Sequence, residues 1–183
     1  MRLQAANSQV SHYTIPTGAH GTRATLKMMS RLVRDYRTHG SIRSTAQDLV
    51  EGLPSKAFRD EVRALFNFVR DDVRYLGDVN EVETLQAPDV TLASRQGDCD
   101  DKATLLASLL QSIGHPTQFV AVGMSEPGVF EHVYVRTLVG REWIALDAST
   151  EGGECAPRFT GDPCPGEMGW EPPDAVSVMV ENT

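Results

Sequence analysis

No apolar run in this chain approaches the ~20 residues that a membrane-spanning helix needs, which excludes a helical membrane span. Positive charge is also in short supply: 17 Lys and Arg face 25 Asp and Glu, a formal net charge of −8. Affinity for nucleic-acid phosphates comes from cations, so nucleic acid is not an expected partner. Three cysteines are too few, and odd in number, for a disulfide framework. Cys155 and Cys164 could bridge in an oxidising setting but are expected to be reduced structural thiols in the cytoplasm, and a zinc site would need two further ligands that do not lie at finger spacing. Asp78, Asn80, Glu81 and Glu83 do not follow the spacing of a calcium loop and lack its turn glycine. Neither a metal nor an organic cofactor is expected. The first ten residues have no apolar signal core, which predicts a chain that is cytoplasmic at synthesis.

What the sequence does contain is ordinary globular composition, 40% hydrophobic and 23% charged, over 183 residues. Without an internal repeat, this predicts a single domain. It divides into an N-terminal arm (1–21), a helical part (22–75), a core (76–150) and an irregular C-terminal extension (151–183). A weakly alternating stretch from Val10 to Ile15 reads as an edge strand or a draped segment. Helices are expected from Thr22 to His39, from Ile42 to Glu51, and from an N-cap at Ser55 to Tyr75. The basic stripe Arg23, Lys27, Arg31 and Arg34 on the first of these reads first as a solvated face and second as a holder of acidic partners. Phe58, Val62, Leu65, Phe66, Val69 and Val73 mark a core-facing side at helical spacing. Gly77 to Gly97 shows no period and reads as a long loop, of a length more often functional than incidental.

The chemistry begins at Gly97-Asp-Cys-Asp-Asp101, followed at once by an apolar helix expected to run to Ile113. A helix start offers unpaired N–H groups and a partial positive charge to a thiolate at Cys99. Asp98 is a good N-cap, and Asp100 and Asp101 suit the first turn, but the same carboxylates oppose a thiolate. On these residues alone Cys99 reads equally as a buried structural thiol and as a nucleophile. A run of three aspartates could also be read as a metal site, but successive helical carboxylates diverge and capping explains them better. A nucleophilic cysteine needs a base, and a third group to orient that base. Of five histidines, only His132 opens a strand, in Phe130-Glu-His-Val-Tyr-Val-Arg136.

Strands are expected at Gln118–Val122, His132–Leu138 and Glu142–Leu146, with a last one from Ala175 to Val180. Between the second and third, Gly140 suits the first central position of a type II′ turn and pairs Val139 with Glu142. Tyr134 then lies opposite Asp147, with His132 as its diagonal neighbour on the same face. A turn at Val139-Gly140 would instead set His132 directly opposite Asp147. A three-residue loop would separate them onto opposite faces. Two of the three simplest registers therefore place a carboxylate beside the imidazole.

Gly97-Asp-Cys-Asp-Asp101 with its helix, then Glu131-His-Val-Tyr-Val135, then Trp143-Ile-Ala-Leu-Asp147, together resemble the transglutaminase-like superfamily of cysteine enzymes. The resemblance covers roughly residues 61–149. It implies an α+β fold with a papain-like core, in which N-terminal helices and the Cys-bearing helix pack on an antiparallel sheet. It also implies Cys99 as nucleophile, His132 as general base and acid, and Asp147 as the orienting carboxylate. Asp147-Ala-Ser149 departs from the family's more frequent Asp-Pro-Thr or Asp-Pro-Ser, and Glu131 stands where small residues are frequent. Tyr13-Thr-Ile-Pro-Thr-Gly18, Glu83-Thr-Leu-Gln86 and Gly169-Trp-Glu-Pro-Pro173 are similar to members encoded by tailed phages and prophages.

The function so implied is acyl transfer at an amide of a protein or peptide substrate, by hydrolysis (peptidase or amidase) or by transamidation (transglutaminase). The backbone N–H of Cys99 and the side chain of Gln86 are the oxyanion candidates, and Tyr134 is a candidate for lining the site. The alternative is a non-catalytic structural or assembly protein, such as one of a phage particle, that keeps the fold and has virion or assembly partners.

Overall fold

The structure, a computed structural model, describes residues 18–77, 84–123 and 130–149, and the strand 176–182 as backbone. The expected N-terminal strand, the acidic segment 78–83, and Cys155 and Cys164 lie outside the described residues.

Among the described residues, five helices and six strands follow one another. Helix α1 (Gly18–Tyr36) buries Leu26, Met29 and Val33. It begins a turn earlier than Thr22 because Gly18 and Gly21 do not break it, and Gly21 is buried within it. Helix α2 (Gly40–Val50) turns Ile42 and Ala46 inward. Helix α3 (Phe58–Asp72) buries Val62, Leu65, Phe66 and Val69 of the face read in the sequence and adds Phe68, whereas Phe58, at the helix start, is exposed. Ser55 is not its cap: Lys56 takes a left-handed φ of 66° and the helix starts after Ala57, without a side-chain cap. Acidic Asp60 and Glu61 supply the favourable first-turn charge instead. The helix stops at Asp72, because Val73 is extended and leads into strand β1 (Arg74–Tyr75).

The aperiodic stretch after Gly77 contains structure that the sequence reading left as loop. Helix α4 (Pro88–Ser94) starts with proline inside its first turn, where a missing N–H costs nothing. It ends at Arg95, which is left-handed and lays its guanidinium 4.4 Å from the Phe68 ring. Strand β2 (Gln96–Gly97) then pairs in parallel with β1 and delivers the chain to helix α5 (Cys99–Ser112).

Helix α5 is the centre of the molecule. Every residue from Asp101 to Leu110 is buried, and α1, α2, α3 and α4 all pack around it. Strands β3 (Thr117–Gly123), β4 (His132–Val139), β5 (Glu142–Leu146) and β6 (Val176–Asn182) form one antiparallel sheet in the order β5-β4-β3-β6. One face of the sheet gives Phe119, Ala121, Val133, Val135, Ile144 and Leu146 to the helical core. The other gathers Val120, Val122, Tyr134 and Ala145 into a small cluster. The fold is α+β, as expected. At the β4–β5 turn Gly140 has φ 67°, and the ladder runs from Val139 opposite Glu142 to Val135 opposite Leu146. Of the three registers considered, this is the type II′ one.

Candidate active site

Cys99 is the first residue of α5, because the Asp98 carboxylate accepts the N–H of Asp101 at 3.0 Å and fixes the helix start there. The thiol is mostly enclosed. Burial pushes it well above its ordinary range, and the charges of Asp100 and Asp98 add to the rise. Its S–H points to Asp100 Oδ1 at 3.6 Å, which also favours the protonated form. A hydrogen bond with the backbone of Val133 acts in the opposite sense. That contact sets the sulfur beside the first peptide of β4, one residue from His132. Among the described residues no hydrogen bond runs directly from Cys99 to the imidazole.

His132 opens β4 opposite Val122. Strand alternation puts its side chain on the face shared with Tyr134, and Asp147, just past the end of β5, meets it there. His132 Nε2 is 2.8 Å from Asp147 Oδ2. Asp147 is 1% exposed, so its charge depends on its partners. Ser149, two residues on, donates from both its N–H (3.1 Å) and its hydroxyl (2.5 Å) to Asp147 Oδ1. Burial by itself would raise the Asp147 carboxyl, yet the His132 and Ser149 hydrogen bonds outweigh it and hold the group below the usual carboxylate range. An ionised carboxylate only accepts, so Nε2 carries a hydrogen and, in the neutral ring, Nδ1 carries the lone pair. Ser149 Oγ also lies 3.4 Å from Nε2.

A second carboxylate, Asp101, lies in the first turn of the Cys99 helix. Asp101, 2% exposed, accepts the backbone N–H of Gln86 on Oδ1 and the Gln86 side-chain N–H on Oδ2, both at 2.7 Å. Gly97 faces the same group: a Cβ there would lie 2.5 Å from Asp101 Cβ and 3.0 Å from Oδ2. The loop carrying Gln86, the strand leading into Cys99 and the first turn of α5 thus close on one carboxylate.

The family model of the transglutaminase-like superfamily matches residues 43–148, more than half of the chain. The chain belongs to that superfamily. Two solved structures share the fold. One, a candidate cysteine protease from Cytophaga hutchinsonii, is 20% identical with a TM-score of 0.51. The similarity covers 62% of this chain and 38% of that one. The other, a candidate protease from Parabacteroides distasonis, is 18% identical with a TM-score of 0.57, over 69% of this chain and 26% of that one. The match therefore spans well under half the length of either structure. No curated protein matches the sequence.

Within this transglutaminase-like core the expected site residues fall into three groups. His132 and Asp147 are joined directly, Cys99 reaches the same strand end through Val133, and Gln86 is tied to the first turn of the Cys99 helix. Tyr134 is buried with Val120, Val122 and Ala145, backing the His132 face of the sheet. The three aspartates around Cys99 are engaged separately, and no group of three or more metal-ligating side chains occurs among the described residues. Nor is any described helix long and apolar enough to cross a membrane.

Two contributors were not singled out by sequence reasoning, although their signals were present. Ser149 stands two residues after an aspartate, the spacing of a local Asx-type turn. Asp101 lies on a helix buried all round, where a carboxylate must find donors. His115, passed over as a turn residue, forms a comparable pair with Glu61 at 2.9 Å. That pair ties α3 to the end of α5 and has no nucleophile in its described contacts.

Proposed function

We propose that this chain is a cysteine-dependent acyltransferase acting on amide bonds of protein or peptide substrates. Cys99 is the nucleophile, His132 the base and acid, and Asp147 the orienting carboxylate. The observation that carries the reading is the His132 Nε2–Asp147 Oδ2 bond at 2.8 Å, which leaves Nδ1 as the basic nitrogen, beside the Val133 backbone that Cys99 bonds. Nδ1 takes the thiol proton as sulfur attacks the carbonyl carbon. The tetrahedral oxyanion is held by the Cys99 N–H and the Gln86 amide. Collapse breaks the C–N bond, the amine leaves with the proton from Nδ1, and a thioester remains. Water or a second amine then attacks the thioester, gives its proton to His132, and releases acid or a new amide with the thiol restored. The Cys99–His132 contact that this step needs is one that forms on substrate binding, as catalytic hydrogen bonds commonly do.

The test is mass spectrometry of the intact protein exposed to an acyl donor. A single acyl adduct on Cys99, absent in His132→Ala, supports the proposal. Partition of that adduct between water and added cadaverine separates hydrolysis from transamidation. A second reading, a non-catalytic assembly protein such as one of a phage particle, draws support from the raised Cys99 thiol and its acidic neighbours. No adduct on Cys99 with any donor, alongside an intact fold, favours that reading.

A further inference from the structure

We infer that Asp101 is a positioning residue that fixes Gln86 as an oxyanion donor; the inference rests on the acyl-transfer reading above. A glutamine amide has two faces, and nothing intrinsic decides whether its N–H or its oxygen points to a given place. Here the choice is forced. The Asp101 carboxyl group is buried and accepts the Gln86 side-chain N–H on Oδ2, so the amide is turned with Nε2 towards it. The Gln86 backbone N–H on the other oxygen ties the Gln86 peptide to the same group. One N–H of the amide is engaged by Asp101, and the second is directed by the same planar geometry. Asp101 is two residues beyond Cys99, and Gly97, two residues before it, packs against the same carboxylate without room for a side chain. The donor is thus fixed relative to the peptide that carries the nucleophile, the preorganisation that oxyanion stabilisation requires.

Asp101→Asn is nearly isosteric and changes only this logic. The new amide offers N–H where Oδ2 stood, so Gln86 flips and presents its oxygen. The test compares two reactions of the full-length chain at one pH. Acylation by p-nitrophenyl acetate passes through a tetrahedral oxyanion, whereas alkylation by iodoacetamide displaces iodide without one. In Asp101→Asn, Cys99-dependent acylation should fall by about tenfold. That is less than the hundredfold to thousandfold an oxyanion donor supplies in amide cleavage, because p-nitrophenolate leaves readily. Cys99 alkylation should stay within about twofold and the unfolding midpoint should hold. Gln86→Ala should show the same split, and the double variant should lose no more than either single one. Equal losses in both reactions, or undiminished acylation, overturn the inference. If the wild-type chain shows no Cys99-dependent acylation while Cys99 still alkylates, the acyl-transfer reading itself fails, and the inference with it.

Discussion

Asp100→Asn should make Cys99 more reactive, although it removes a charge from the proposed active site. In the resting chain the thiol is held protonated by burial first and by Asp100 next, with Asp100 Oδ1 3.6 Å from the sulfur. Two unit charges at that separation interact by roughly 1 kcal/mol in a water-like medium and roughly 5 kcal/mol at an effective dielectric of 20. Asp100 is half-exposed, so the lower figure is the better guide. About 1 kcal/mol is close to one pKa unit, or about a tenfold gain in thiolate at a pH well below the titration. A less basic thiolate is also a poorer nucleophile, which returns about threefold of that gain and leaves a net increase of about threefold. The assay is iodoacetamide alkylation at pH 7.5, with peptide mapping to resolve Cys99 from Cys155 and Cys164. An alkylation rate that is unchanged or lower, with the unfolding temperature preserved, would show that Asp100 does not control the thiol.

Three further outcomes are expected. Gly97→Ala drives a Cβ to within 2.5 Å of Asp101 Cβ, a clash that no side-chain rotation relieves, and should cost about 1–3 kcal/mol in urea unfolding. Lys102, 2% exposed, donates to the Val73 carbonyl at 2.6 Å and the Arg70 carbonyl at 3.4 Å, closing the end of α3. Lys102→Met should orphan those carbonyls and lower the urea midpoint by the equivalent of about 1–3 kcal/mol, whereas an equal or higher midpoint contradicts the capping role. Asp147 has a depressed folded-state pKa, so its contribution is present above the unfolded carboxyl value and lost as pH falls through the folded one. The stability gap between wild type and Asp147→Asn should therefore be widest near neutrality and narrow in acid, as thermal melts from pH 7 to pH 3 would show.

The parts of this site legible in the sequence are those governed by local rules. Gly140 suits the first position of a type II′ turn, and of the three registers open in the sequence the one present is the pairing of Val139 with Glu142 that this turn gives, with His132 beside Asp147. Asp98 as cap and Cys99 as first helical residue follow equally from neighbours in the chain. Helix α4 was missed because seven residues hold barely two turns, too few for a period to show, and because Pro88 reads as a breaker outside its first-turn context. The start of α3 was misplaced because Lys56, not a glycine or asparagine, adopts the left-handed backbone before Ala57. The Gln86–Asp101 bonds join residues fifteen apart through tertiary packing, and no local pattern encodes them.

Asp98, Asp100 and Asp101 look alike as a sequence motif, yet each has a different task, because successive helical positions point about 100° apart. Asp98 turns back to cap the helix, Asp100 lies against the sulfur, and Asp101 faces inward to Gln86. Helix capping explains the first and a favourable first-turn charge is enough for the second, but neither requires a carboxylate buried to 2% at the third. A chain that needed only a well-started helix would leave that charge in water, where it complements the macrodipole without desolvation. Asp101 gathers the backbone and side-chain N–H groups of Gln86, and holding that residue beside the helix start helps to offset the burial. Asp100 and Asp98 oppose the thiolate, while Asp101 is turned to another purpose in the proposed mechanism, placing a donor for the negative charge that arises once the thiol proton has gone to His132.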